Sequence, residues 1–461
     1  MSEEGLFMTL RPLTRRYFLY GAGLASAAVL SACAPGEAPV TTDSSGAATP
    51  EVTDPAQLGD IELVVWDQEV RGSQNDSLVA LNAAFQEKYP NITIKRTSQS
   101  FDDLKTQVSL ALSGNDVPDV VQVNNARGDM GQFVKAGQLL DLTPYADQYG
   151  WADRFSDSVL SKVRYSADGT TFGEGNLYGL PQTGEVVGIF YSQKKLDALG
   201  GAAPTTWEEY FALLDAAKAA GEQPMALGNI EKWPALHVFG PLQAHFVEPV
   251  EVVKLGMGNE GASWVDEPNT AAMEKFQEWG EKQYFGTSPN GLDYDPAWND
   301  FTTGTGVFLP GGSWLGTDME AIMGEDLHFM APPPAVDGKP ATTGGTGIPF
   351  SIPAKAANAA AAAAYIDFIT SESAMETIAD NGGMPVLRTK ELAPASGVQK
   401  EIYEAFDTVS TTGTLLPYLD YATPTFSDTA GQGLQEVLGG QKSAAEVLQD
   451  FEADYQAFIG G

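Results

Sequence analysis

Apolar and polar positions along this chain follow an alternation of short runs and helical stripes. Residues 61–66 (I-E-L-V-V-W) form an apolar run of strand length that stops at Asp67, Gln68 and Glu69. Leu78, Leu81, Phe85 and Tyr89 then recur at helical spacing until Pro90 ends the pattern. Residues 92–95 predict a second strand. The S-F-D-D run at 100–103 has the form of a capping box, with Asp in place of Glu, opening a helix striped by Leu104, Val108 and Leu112. Residues 118–123 predict a third strand that closes on Asn124 and Asn125. Strand and helix in alternation imply a mostly parallel α/β sheet.

The stretch 176–196 stands apart. Pro181 holds Leu180 extended, a polar Q-T-G-E quartet follows, and V-V-G-I-F-Y then favours a buried strand. An extended segment with a polar, glycine-bearing middle suits a crossing between two bodies. Beyond it the rhythm resumes. T-W-E-E at 206–209 caps a helix, residues 225–227 read as a short strand, and 228–233 as a loop. Met273, Phe276 and Trp279 mark a helix. Residues 307–309 predict a strand closed by P-G-G-S-W. The glycine-rich run 342–352 is a second candidate crossing. An alanine-rich helix over about 358–370 and a last helix capped at Ser443 complete the pattern. Two lobes are predicted, 60–183 plus 305–344 and 185–302 plus 347–461. No 20 to 50-residue repeat is present.

Charge narrows the partners. The 461 residues carry 26 Lys plus Arg against 61 Asp plus Glu, formally −35, which repels nucleic acid and anionic headgroups. Three separated histidines and one cysteine leave no His/Cys metal set, and no cofactor is implied. Asp293, Asp295 and Asp300 cluster without the glycine and closing glutamate of an EF-hand, so they read as a solvated turn. Residues 306–313 have P-loop spacing but place Gly312 where lysine is required, which excludes nucleotide hydrolysis there. No G-x-S-x-G elbow is present.

The N-terminus reads as an address. R-R-Y-F-L at 15–19, an apolar small-residue stretch and L-S-A-C at 30–33 resemble a twin-arginine signal ending in a lipobox. Residues 1–32 are the expected signal peptide and Cys33 the expected lipidation site. Residues 33–59, rich in Pro, Ser, Thr, Gly and Ala, are the expected flexible tether.

In order along the chain stand V-V-W (64–66), F-Q-E-K-Y-P-N-I-T-I (85–94), N-D-V-P-D-V-V-Q-V (115–123), L-Y-G-L-P (177–181), V-V-G-I-F-Y-S-Q-K-K-L (186–196), P-T-T-W-E-E-Y (204–210), G-V-F-L-P-G-G-S-W (306–314) and G-G-M-P-V-L-R (382–388). Together these resemble the extracellular solute-binding proteins of bacterial ABC importers, family 1, over roughly residues 60–461. Tyr191-Ser192 departs from that family's customary Tyr-Asn before a lysine. The resemblance implies a two-lobed periplasmic-binding-protein type II fold, joined by hinge crossings and closing on a ligand, most often a carbohydrate. It also implies an ABC permease partner in the membrane and a monomeric, non-enzymatic receptor on the outer face of the cell membrane.

Ligands of open α/β sheets sit beyond the carboxyl ends of strands. Residues following the inferred strands are therefore the expected ligand contacts: Asp67, Gln68, Asn124, Arg127, Trp233 and Trp314, with Glu185 at the crossing. Planar carboxylates, amides and a guanidinium pair with adjacent hydroxyls, and indoles face the C–H side of a pyranose. Trp66 reads as core. A secreted glycoside hydrolase using paired carboxylates is the competing reading. Within the receptor reading, a polyol, phosphorylated polyol or peptide is the alternative cargo.

Overall fold

The computed structural model describes residues 54–460. The expected signal peptide, Cys33 and the tether up to residue 53 lie outside the described residues. The end of the tether is docked rather than loose, which corrects the expected boundary at residue 59. Pro55–Gln57 makes one 3-10 turn capped by Asp54. Asn91 Nδ2 donates to the carbonyls of Pro55 (2.9 Å) and Leu58 (2.6 Å).

The strands are β1 (Ile61–Asp67), β2 (Ile92–Ser98), β3 (Val120–Gln122), β4 (Arg164–Tyr165), β5 (Asn176–Leu177), β6 (Gly184–Ser192), β7 (Phe308–Gly312), β8 (Leu327–Met330), β9 (Ala341–Thr346), β10 (Phe350–Ser351) and β11 (Thr414–Leu416). Helix α1 (Gly72–Lys88) joins β1 to β2 and buries Leu78, Leu81 and Phe85. Helix α2 (Phe101–Ser113) joins β2 to β3 and buries Leu104, Val108 and Leu112. Both connections are crossovers between parallel strands. The first sheet has the order β10-β3-β1-β2, parallel except for β10, and its core gathers Leu63, Val65, Phe85, Trp151 and Tyr365.

The second sheet has the order β11-β9-β6-β7, with β8 also on β6. Here β6 runs against β7, β8 and β9, while β9 and β11 are parallel. Trp207, Trp264, Phe276, Phe308 and Phe451 are among the residues that fill its core. The capping boxes at Thr206 and Ser443 both form, with Glu209 and Glu446 closing them. Ser192, the departure from Tyr-Asn, caps the next helix and bonds Asp326 (3.0 Å).

Strand pairing corrects the predicted division of the chain. Residues 308–346 supply β7, β8 and β9, all paired with β6, so they belong to the second lobe and not the first. The chain instead returns to the first sheet at β10. Its alanine-rich helix Ala359–Ile369 is tied there by Asp119, whose carboxylate accepts from Val64 N (3.0 Å) and Asn358 N (2.9 Å). A glycine-rich run marks a crossing without telling its direction.

Among the described residues the chain passes between the sheets three times: at 180–184, at 347–350, and between Ile378 and Val398. The first ribbon lies between the other two. Leu180 and Phe350 exchange backbone hydrogen bonds of 3.0 Å each way, and Gly347 N donates to Thr183 O (2.9 Å). On the other side Gly184 N donates to Met384 O (2.9 Å) and Val386 N to Gln182 O (3.1 Å).

Candidate functional site

Segments at the carboxyl ends of strands from both sheets converge on one cavity of about 700 Å³, within the range of small-molecule sites. The first lobe contributes Gln68 and Arg71 after β1, Phe101, Asp102 and Lys105 at the start of α2, and Asn124 and Asp129 after β3. The second contributes Glu185 on β6, the 231–237 segment, Trp314 after β7, Thr346 ending β9, and Tyr418 and Asp420 after β11.

Five of the expected residues line this cavity: Gln68, Asn124, Glu185, Trp233 and Trp314. Gln68 is held by its own N–H on Gln122 Oε1 (2.8 Å). Asn124 Nδ2 donates to Asp129 (2.8 Å). Trp314 Nε1 donates to Tyr294 OH (2.9 Å), and its ring folds back over Gly312, where a Cβ would overlap the indole. The glycine in the lysine position of the P-loop spacing therefore makes room for a tryptophan. Trp233 follows Lys232, a non-glycine residue at φ 71°. That strained left-handed turn, with Trp233 N on Glu231 O (2.9 Å), aims the indole at Phe101 of the other lobe.

Two expected residues stand elsewhere. Asp67 is fully buried, and both its oxygens accept from Arg96 at 2.7 Å while Oδ1 also accepts from Glu69 N. A carboxylate removed from water takes a bidentate cation, and this pair shapes the turn instead of facing the cavity. Arg127 donates to the carbonyls of Thr170 (2.7 Å) and Met257 (3.1 Å) and lies 4.8 Å from the Phe458 ring centre. Its donors serve to bridge the lobes. Trp66 is partly buried against the first lobe's second apolar cluster.

Arg71, Phe101, Lys105, His237, Tyr418 and Asp420 escaped sequence reading. Phe101 and Lys105 follow β2, and Tyr418 and Asp420 follow β11, so the strand-end rule covers them. The T-L-L of β11, directly before Pro417, is too short to announce a strand. His237 lies one helical turn beyond Trp233, on the same face.

The cavity is electrically unusual. Burial first, and the neighbouring Glu69 carboxylate next, push Glu185 up to about 7 against the lowering hydrogen bond from Tyr418 (3.1 Å). Burial pushes Asp420 up to about 6, with Lys105 opposing. Burial lowers His237 to about 3, so its imidazole is neutral. Burial disfavours the charged form of Lys105, but Asp129, 3.2 Å away, and Asp420 outweigh it. Among the described residues, His237 Nδ1 and Thr346 Oγ1 are buried without a hydrogen-bond partner. Asp102 lies near enough to Trp233 for the indole to favour its ionised form, though burial raises that carboxyl overall. Among the described residues no group of three His, Cys, Asp or Glu side chains could hold a metal ion. The acidic run read as a solvated turn is instead a helix, Tyr294–Thr302, and its Asp295 pairs with Arg71 across the lobes at 2.9 Å.

Further bridges hold the lobes together around the cavity. Asp318 accepts from Gly72 N (3.2 Å), and Tyr421 OH donates to Asn125 Oδ1 (2.7 Å). The arrangement encloses a ligand between planar polar groups and aromatic faces supplied from both sides.

A two-lobed fold closing on such a cavity is that of a solute receptor. The sequence profile of the bacterial extracellular solute-binding proteins matches residues 71–376, and the chain belongs to that family. It is 25% identical over 320 residues to the multiple sugar-binding protein of Streptococcus mutans, covering 66% of this chain and 70% of that one. Among solved structures it is similar to a chitin oligosaccharide binding protein, with a TM-score of 0.73 and 21% identity over 87% of this chain and 99% of the other. It is also similar to an ABC substrate-binding protein of Listeria monocytogenes in complex with cycloalternan, with a TM-score of 0.67 and 18% identity over 87% and 99%.

Proposed function

We propose that this chain is the substrate-binding component of an ABC importer, capturing a mono- or oligosaccharide between its lobes and delivering it to the permease. The observation that carries this reading is the joint lining of one cavity by Gln68 and Asn124 from the first lobe and by Glu185, Trp233 and Trp314 from the second. Amides and carboxylates accept and donate to hydroxyls in pairs, while the indoles take the apolar ring face. The sugar-related names of the relatives above agree with it. The protein acts as a receptor and leaves its cargo intact. It works outside the cytoplasm as a monomer, tethered to the outer face of the membrane through lipidated Cys33.

Closure follows from two-sided contacts. A ligand favouring the closed form by about 5.5 kcal/mol takes a 1:99 balance to 99:1. A thermal-shift screen of mono- and oligosaccharides, followed by calorimetry and small-angle scattering, tests the reading. A binding sugar that contracts the radius of gyration is the expected result. An unchanged radius at saturation, or a cleaved sugar after long incubation, overturns it. Cys33→Ala should release the protein from the membrane fraction; retention there would refute the anchor.

A further inference from the structure

The cavity is lined by six carboxylates, Asp102, Asp129, Glu185, Glu231, Asp420 and Asp428, against three cations. Of the carboxylates only Asp129 has an ion-pair partner among the described residues, Lys105. Of the cations, Arg71 is committed to Asp295 and Lys105 to Asp129. Lys232 makes no ion pair among the described residues, and its field acts on Glu436 outside the lining. Five of the acids therefore line the cavity without a direct ion pair among the described residues, with Lys105 acting at longer range on Asp102, Asp420 and Asp428 and Arg71 on Glu185.

A second feature lies beside Glu185. His237, only 8% exposed, makes no hydrogen bond through its buried Nδ1. Its ring centre stands 5.2 Å from Trp233, 5.4 Å from Trp314 and 5.5 Å from Tyr418. All four rings line the cavity. Tyr418 donates to Glu185, so the rings and an unpaired carboxylate form one connected unit. Aromatic faces joined to a carboxylate are the standard receptor for an organic cation. The neutral imidazole adds no positive charge there.

We propose that the sugar captured here carries a protonated amine, seated among Trp233, His237, Trp314 and Tyr418 and neutralised by Glu185. This rests on the carbohydrate reading above and narrows it. A hydroxyl at that position would leave Glu185, already raised to about 7, to take up a proton on closure, because a buried carboxylate without a counter-charge is costly. An ammonium group lets the carboxylate stay ionised and donates a hydrogen bond to it.

The test uses the mature chain and matched saccharides of one to four units: glucosamine oligomers, their N-acetylated forms, and glucose oligomers of the same linkage. Calorimetry should show an amine-bearing saccharide binding at least tenfold tighter than both uncharged twins. Glu185→Gln should erase that preference, and Trp314→Phe, which keeps a ring, should retain part of it. Uncharged twins that bind equally or more tightly overturn the proposal and leave the carbohydrate reading standing. Failure of every saccharide, charged or not, to bind overturns both. Loss of the amine preference in Glu185→Gln with an unfolding midpoint no lower than that of the wild type supports a direct charge contact; a preference that survives in that variant overturns it.

Discussion

Replacing Glu185 with Gln tests how the cavity carries its charge. The carboxyl rises from 4.5 to about 7 in the folded chain, so between those values the native state holds a proton that the unfolded state has lost. Stability from this group is therefore fullest in acid and falls as pH rises through that window. A shift of this size corresponds to roughly 3 kcal/mol at about 1.4 kcal/mol per unit. Coupling to Glu69 shares the effect between two acids, so the part that Gln recovers is about 1–3 kcal/mol. Gln keeps the oxygen that accepts from Tyr418 and cannot ionise. Urea unfolding at pH 5 and pH 8 should show variant and wild type nearly equal at pH 5, with the variant more stable at pH 8. An equal difference at both pH values would refute the reasoning.

Three further outcomes follow from the geometry. Gly312→Ala should push the Trp314 indole off its seat, weakening saccharide binding about tenfold or more, with a shifted tryptophan emission as the direct sign. Asp67→Asn removes the countercharge of Arg96 and should cost about 3 kcal/mol in unfolding free energy while ligand affinity stays within about threefold; a large affinity loss without destabilisation would put Asp67 back in the site. Tyr421→Phe removes one cross-lobe hydrogen bond, worth about 1 kcal/mol, and should favour the open form several-fold, read as a larger radius of gyration without ligand.

The first sheet could be read from the sequence because its elements obey local rules. Pro90 stops α1, the α2 stripe keeps its spacing, and each strand ends in polar residues. The second sheet is assembled from distant pieces, with β6 meeting strands more than a hundred residues away, and no local pattern encodes which edge they join. The same limit governs the site. Trp233, Trp314 and Glu185 were legible as polar or aromatic residues at strand ends and the crossing, and the structure brings them to one cavity. Asp67 obeys the identical rule, yet Arg96, twenty-nine positions on, claims its carboxylate. Strand-end position names candidates, but the side chains packed alongside decide which of them remain free.

The three laced ribbons between the sheets constrain how this molecule can move. A single linker would let one lobe twist, slide or swing at will. With two outer strips hydrogen-bonded to a middle one, rotation about any one backbone bond is resisted by the other two, and sliding would tear the bonds at Leu180 and Gly184. What remains easy is a shared bend across all three, so the lobes open and shut along one path and meet in the same register at every cycle.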